Sequence, residues 1–240
     1  MSQKQKSESG INGTEIEPAT EAGNKVDIGS TFEKRLLAFE PTAFLDIRTP
    51  FGFFDYDEFY KQFVNDAKNG DTIVEIGSWV GKSTCFMGEL VRFASQHGKN
   101  LRFVNIDPFI ADCIITPKGY EWVENSPGMK VSARAEFYKN TEPVKDFIET
   151  IEDYSVPVAE RFADESLFAV WVDGHHGYES VLADMEAYWG KIRKGGVLAG
   201  HDYVIDGAHK GFEVARAVET FVNKYGLSNY RHHKSWLIYK

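Results

Sequence analysis

From about residue 70 to residue 222 the apolar positions alternate between the short period of a strand and the longer period of a helix. Thr72-Ile73-Val74-Glu75-Ile76 is a β-branched run that breaks at Gly77. Ser83 to Gln96 then sets Phe86, Met87, Leu90, Val91 and Ala94 on one helical face, and His97-Gly98 ends it. Leu101 to Asp107 is a second buried strand, stopped by Pro108. Strand, helix, strand at this spacing predicts a right-handed βαβ unit and a parallel sheet. A weak third strand is expected at Phe147 to Asp153, followed by a short helix through Ala159 and Phe162. Phe168-Ala169-Val170-Trp171-Val172 is near-continuously apolar, as buried parallel strands are. An amphipathic helix over Val181, Leu182, Met185, Tyr188, Trp189 and Ile192, capped by Gly195-Gly196, leads to a fifth strand at Val197 to Gly200. A last helix carries Val214, Val218, Phe221 and Val222, and Tyr230 with Trp236 to Tyr239 reads as a closing antiparallel hairpin.

The flanks have another texture. Residues 1–27 are polar and nearly free of large apolar side chains, so they read as a disordered tail ahead of a single domain at 28–240. Within that domain, 28–69 form an N-terminal cap rich in aromatics, among them Phe54, Tyr56, Phe59, Tyr60 and Phe63. Asp57 to Asn69 has helical spacing, and Asn69-Gly70 stops it. This cap either roofs a pocket or packs on the sheet as filler. Residues 109–146 are too long for a plain connection and read as a lid insertion with a short helix near Ala133 to Lys139.

Composition narrows the class. A hydrophobic content of 42% and a charged content of 26% suit an ordinary globular protein. The formal charge of −9 disfavours a nucleic-acid backbone as partner. Cys85 and Cys113 have no metal spacing and read as reduced thiols of a cytoplasmic protein. Neither a membrane span nor a secretory leader is expected.

The chemistry begins at the first glycine break. Gly77 and Gly81 open a tight turn into a helix N-terminus, a corner that suits an anionic or carboxylate-bearing small ligand. The spacing G-x-x-x-G lacks the third glycine of the dinucleotide fingerprint and the length of a phosphate-cradling loop. Further strand ends carry Asp107, then Asp173 with His175 and His176, then His201 with Asp202. In a parallel sheet these ends meet at one edge, where ligands bind. Such carboxylates and imidazoles make a donor set for a divalent cation, or are turn and loop residues with ordinary hydrogen-bonding work.

Glu75-x-Gly77-x-x-x-Gly81-x-Ser83 resembles motif I of class I S-adenosylmethionine-dependent methyltransferases. Asp173-Gly174-His175-His176-Gly177-Tyr178-Glu179, then Lys194-Gly195-Gly196 and Gly200-His201-Asp202-Tyr203, resemble the signature of the "family 24" type. The resemblance implies a Rossmann-like α/β fold, with a seven-stranded, mostly parallel sheet, helices on both faces and an antiparallel C-terminal strand. It also implies S-adenosylmethionine over the first two strand ends. Carried over by position, Glu75, Gly77, Trp79, Gly81 and Ser83 surround the methionine and ribose side, Asp107 faces the ribose, and Tyr154 and Ser155 flank the adenine. Some relatives place the ribose acid two residues earlier, where this chain has Asn105. Asp173 closes the cofactor site. Metal-dependent small-molecule O-methyltransferases hold Mg²⁺ at positions matching Asp173, His201 and Asp202, although His201 departs from the acid or amide usual there. His176 stands where catechol-type enzymes have a general-base lysine.

The expected activity is methyl transfer to a hydroxyl of a small molecule, with His176 and Asp173 as catalytic residues and Mg²⁺ or another divalent cation assisting. A homo-oligomer fits as well as a monomer. Three alternatives stay open: a hydroxylase-like branch with the same signature, a non-catalytic cofactor-binding protein, and a nucleotide-binding oxidoreductase.

Overall fold

The computed structural model describes residues 54–110, 112–116, 119–122, 129–204 and 213–240. The tail expected at 1–27 and the cap before residue 54 lie outside the described residues. In chain order the elements are α1 (Asp57–Asp66), β1 (Thr72–Ile76), α2 (Lys82–Gln96), β2 (Arg102–Ile106), β3 (Asp112–Thr116), β4 (Gly119–Trp122) and β5 (Met129–Ser132). Then follow α3 (Ala133–Thr141), β6 (Glu149–Ile151), α4 (Ser155–Ala159), β7 (Leu167–Val172), α5 (Tyr178–Trp189), β8 (Ile192–Gly200), α6 (Val214–Tyr225), β9 (Tyr230–His232) and β10 (Ser235–Tyr239).

Seven strands form one sheet in the order β6-β2-β1-β7-β8-β10-β9. Strands β6, β2, β1, β7 and β8 are parallel, and β10 runs antiparallel to both β8 and β9. The Rossmann-like sheet with an antiparallel C-terminal strand is therefore present. Every residue of β1 and β7 is buried, as strands covered on both faces must be.

Alternation along the strands divides the core in two. Val74, Ile76, Val104, Val170, Val172 and Leu198 face α5 and α6 and pack with Met185, Tyr188 and Phe221. Ile73, Phe103, Ala169, Trp171 and Ala199 face α1 and α2 and pack with Phe59, Tyr60, Phe63, Met87 and Leu90. Glu75 shares this second face with Ile73, which puts a carboxylate against two helices.

Three local readings are corrected. Helix α5 stops at Trp189, and Ile192 with Gly195-Gly196 belongs to β8. The glycine pair serves a bulge: Leu167 pairs with Ile192 but Ala169 with Val197, and a Cβ at Gly196 would lie 2.5 Å from the Phe168 carbonyl oxygen. Phe147 ends a 3₁₀ turn at Glu142–Phe147, so the third strand of the parallel run begins only at Glu149. The insertion expected as a loop with one helix contains that helix, α3, and also a three-stranded antiparallel sheet in the order β4-β3-β5.

Register sets the functional edge. Ile76 pairs with Ile106 and with Val172, and Val172 pairs with Gly200. The next residues are Gly77, Asp107, Asp173 and His201, so four strands deliver their following residue to one level.

Candidate active site

The glycine loop is built by close approach. Gly77 has φ +89°, and a Cβ there would lie 2.1 Å from the Asp173 carbonyl oxygen. Its N–H donates to the Ile106 carbonyl at 2.9 Å. Gly81 has φ +85° and starts α2, with the Phe137 and Thr141 side chains filling the space a Cβ would take. Asp107 ties the loop down. Its carboxylate accepts the Ser78 N–H at 2.7 Å, the Trp79 N–H at 2.9 Å and the Phe109 N–H at 2.7 Å. From outside, the inserted sheet and α3 hold the same loop: Val80 packs with Cys113 and Ala133, and the Asn140 amide donates to the Val80 carbonyl at 2.9 Å.

Beneath the loop lies a buried polar network. Glu75 is 0% exposed. Its carboxylate accepts the Tyr60 hydroxyl at 2.7 Å, the Ser78 hydroxyl at 3.4 Å and the Thr84 hydroxyl. Burial pushes the Glu75 carboxyl up to about 7, against the opposing pull of Ser83, Thr84 and Tyr60. Asn105 is also wholly buried, bonding Ser78 at 3.1 Å through its amide and accepting the Thr150 hydroxyl at 2.8 Å. The position where some relatives place an acid is thus used to fasten β1 to β2 and β6.

Asp173, His176, His201 and Asp202 converge at the adjoining strand ends. One ligand atom each from Asp173, His201 and Asp202 lies within 4.8 Å of the others, an arrangement able to hold a metal ion. His176 Nε2 stands between the two acids, 3.5 Å from Asp173 Oδ1 and 3.2 Å from Asp202 Oδ2. His201 faces Asp202 through Nδ1 at 3.5 Å and Asp55 through Nε2 at 2.8 Å. Burial alone would lower the His201 imidazole, but Asp202, Asp173 and Asp55 outweigh it and hold it above its ordinary value. Burial would raise Asp202, but His201, His176 and Lys234 hold it below the usual carboxylate range. Asp202 adopts φ +55° and Trp79 φ +46°, left-handed backbone that side-chain-bearing residues seldom take. Phe109, just past Asp107, does the same at φ +48°, so three such residues cluster at one sheet edge.

Tyr56, Tyr60 and Asp55 enter the site from the cap, and sequence reasoning assigned none of them a role there. The Tyr56 hydroxyl donates to Asp173 Oδ2 at 2.8 Å, while its ring lies 4.6 Å from Trp171 and 5.0 Å from His201. The available signal was tyrosine rather than phenylalanine at two positions, one just before α1 and one within it, in a segment that packs on a sheet carrying a buried acid. A cavity of about 120 Å³ opens beside this cluster, lined by Asp55, Tyr56, His201, His232, His233 and Lys234 among others.

Tyr154 and Ser155 start α4 at the far side of the loop. Tyr154 is 58% exposed, whereas the Ser155 hydroxyl is taken by Asp184 of α5. Tyr188 donates to the Ser155 carbonyl at 2.9 Å. Burial pushes Asp184 up to about 6, opposed by Ser155. His175 is exposed, with Nδ1 accepting the Gly177 N–H at 3.2 Å, and takes no part in the acid–imidazole cluster. Among the described residues, no helix is long and apolar enough to cross a membrane.

Comparison with known proteins gives this edge a context. A methyltransferase domain model matches residues 74–203, from β1 to the residues after β8. Among solved structures, the O-methyltransferase NovP superposes with a TM-score of 0.58 at 19% identity, covering 77% of this chain and 78% of that one. An O-methyltransferase of Bacillus cereus in complex with SAH gives 0.52 at 17% identity, covering 90% and 94%. A protein of Corynebacterium glutamicum gives 0.54 at 13% identity, covering 90% and 92%. No curated protein sequence matches the chain. The structural likenesses establish the fold, and the domain model spans more than half of the chain: it belongs to the "family 24" methyltransferase domain of the class I S-adenosylmethionine-dependent methyltransferases.

Proposed function

We propose that the protein transfers a methyl group from S-adenosylmethionine to a hydroxyl of a small molecule, at the edge formed by Asp173, His176, His201 and Asp202. The observation that carries this reading is the position of His176 Nε2 between the two carboxylates, three residues beyond the close contact of Gly77 with Asp173. A proton acceptor therefore adjoins the corner where the cofactor belongs.

The cofactor's site is read over Gly77, Trp79, Gly81 and Ser83, with Asp173 closing it. A carboxylate offers about four acceptor positions. Asp107 spends three on loop amides, which leaves one for a ribose hydroxyl. Tyr154 stands exposed for the adenine, and Ser155 presents its backbone there because its side chain serves Asp184. Glu75, buried and engaged by hydroxyls, acts on the cofactor through the shape of the loop.

S-adenosylmethionine supplies an electrophilic methyl carbon and leaves as the neutral thioether. His176 takes the acceptor's proton on Nε2 as the oxygen attacks in line. Asp173 and Asp202 hold the imidazole that becomes charged. The donors Asp173, His201 and Asp202 fit a divalent cation, which when bound lowers the pKa of an acceptor hydroxyl. The small cavity of about 120 Å³ beside Asp55, Tyr56 and His201 favours a small acceptor entering from that side.

The test is methyl transfer from radiolabelled S-adenosylmethionine to a panel of phenols, catechols and sugars. Wild-type protein is expected to label at least one class, and the Asp173→Ala/Asp202→Ala double variant none. Undiminished labelling by the double variant would remove the acid–imidazole scheme.

A further inference from the structure

We propose that the cluster of Asp173, His201 and Asp202 selects a borderline transition-metal ion of the Mn²⁺ to Zn²⁺ series over Mg²⁺, with His201 Nδ1 as a ligand and Asp55 as the residue that orients it. The inference rests on the reading that these three side chains hold a cation, and it concerns which one.

The argument starts from the donors. Mg²⁺ is a small, hard ion that favours oxygen in near-ideal octahedral geometry and gives up water reluctantly. An imidazole nitrogen suits Zn²⁺, Fe²⁺, Ni²⁺ and Cu²⁺, and affinity for nitrogen sites rises along the series from Mn²⁺ towards Cu²⁺. Replacing an oxygen donor by His201 therefore moves the site away from Mg²⁺.

A second observation shows the ring arranged as a ligand. Histidines that bind metals commonly donate their other ring N–H to a carboxylate or carbonyl, which fixes tautomer and orientation. Here His201 Nε2 lies 2.8 Å from Asp55 Oδ1, and Nδ1 faces Asp202 Oδ2 at 3.5 Å. An Nε2–H donated outward to Asp55 leaves the Nδ1 lone pair on the side of the two acids. Ligand atoms about 2.1 Å from a tetrahedral ion stand roughly 3.4 Å apart, and the Nδ1 to Oδ2 separation is of that size.

The ring is also held from the side. Tyr56 packs against it with 5.0 Å between centroids and bonds Asp173 through its hydroxyl. One tyrosine thus positions two of the three donors. Asp55 and Tyr56 both precede α1, so the cap supplies the orienting carboxylate and the supporting ring, while the sheet supplies the donors. Asp55 is itself 63% exposed at its side chain, so changing it leaves the packing of the cap in place.

The experiment is calorimetric titration of the full chain with MnCl₂, ZnCl₂ and MgCl₂ separately, on wild-type, His201→Asp and Asp55→Asn protein. In parallel, SAH is titrated and the imidazole nitrogen coupling of the Mn²⁺ complex is read by pulsed electron paramagnetic resonance. Wild type is expected to bind Mn²⁺ and Zn²⁺ at least about tenfold more tightly than Mg²⁺, with a nitrogen coupling in the Mn²⁺ spectrum. His201→Asp is expected to lose the coupling and move the preference towards Mg²⁺. Asp55→Asn is expected to weaken Zn²⁺ by about tenfold without changing SAH affinity. Mg²⁺ binding as tightly as Zn²⁺, or an unchanged metal preference in His201→Asp, would overturn the inference and leave the cation reading standing. Absence of binding by all three ions would overturn both, while the SAH titration still reports on the cofactor site separately.

Discussion

Tyr56 carries a hydroxyl where phenylalanine would fill the same space between Trp171 and His201. That hydroxyl bonds Asp173 and is buried with the rest of the ring. Removing it leaves Asp173 Oδ2 short of a donor, which costs about 1–3 kcal/mol for a buried group. Tyr56→Phe is expected to lower the urea midpoint accordingly and to cut methyl transfer by about tenfold, the rate equivalent of 1.4 kcal/mol. SAH affinity should fall less than turnover, since the glycine loop's backbone is untouched. Equal turnover in the variant and the wild type would remove Tyr56 from the site.

Glu75 and Asp184 make a second residue-scale prediction, this time in pH. Both carboxyls are buried, and burial raises them to about 7 and about 6. A raised folded pKa means that the native state holds its proton where the unfolded chain has already lost it. Their contribution is full below the unfolded carboxylate value and is lost as pH rises through the folded one. Stability should therefore fall between roughly pH 4 and pH 7, by about 3 kcal/mol for each group taken alone. Glu75→Gln and Asp184→Asn should each flatten part of that slope in urea titrations across the window. A wild-type slope of the opposite sign would contradict the buried network.

At the scale of elements, the loop from β1 into α2 depends on two contacts that the glycine spacing alone does not reveal. Gly77 meets the backbone at Asp173, and Gly81 meets α3. The first cannot yield, because the obstructing atom is a carbonyl oxygen in the chain that leaves β7. The second is formed by the ends of two side chains, Phe137 and Thr141, that have some room to turn. Gly77→Ala is thus expected to lose SAH binding and to unfold at lower urea, while Gly81→Ala keeps a weakened site. Equal SAH affinities for the two variants would show that the close approach to Asp173 has no bearing on the loop.

The cap and the insertion behave as elements of the same site. α1 packs its apolar face on Trp171 and sends Tyr60 to Glu75, as a helix packed on the sheet with a polar tie beneath it. α3 and the small sheet bear on Trp79 and Val80.

For the whole molecule, the parallel sheet was legible because β1, β2 and β7 are buried on both faces and must read as apolar runs. The strand ends followed from it, since the residue after each run falls at one level of the sheet. That logic brought Asp107, Asp173 with its two histidines, and His201 with Asp202 to one edge, and the family resemblance singled out Asp173, His201 and Asp202, which lie together. It could not place Tyr56, Tyr60 or Asp55, whose contacts with Asp173, Glu75 and His201 span long separations along the chain and leave no local pattern. Nor could it foresee that the glycine pair at Gly195-Gly196 serves a bulge in β8, because the same two residues end a helix equally well. The three inserted strands escaped for a related reason: they are short, and among the described residues they pair only with one another.

The central claim is that the loop from Gly77 to Gly81 receives S-adenosylmethionine and that the neighbouring acid–imidazole edge performs the transfer. Calorimetric titration of the wild-type chain with S-adenosylmethionine tests it most directly. The account predicts saturable heat with a one-to-one stoichiometry, and the same affinity in an Asp202→Ala variant that no longer transfers the methyl group. No heat with the wild-type protein would contradict it.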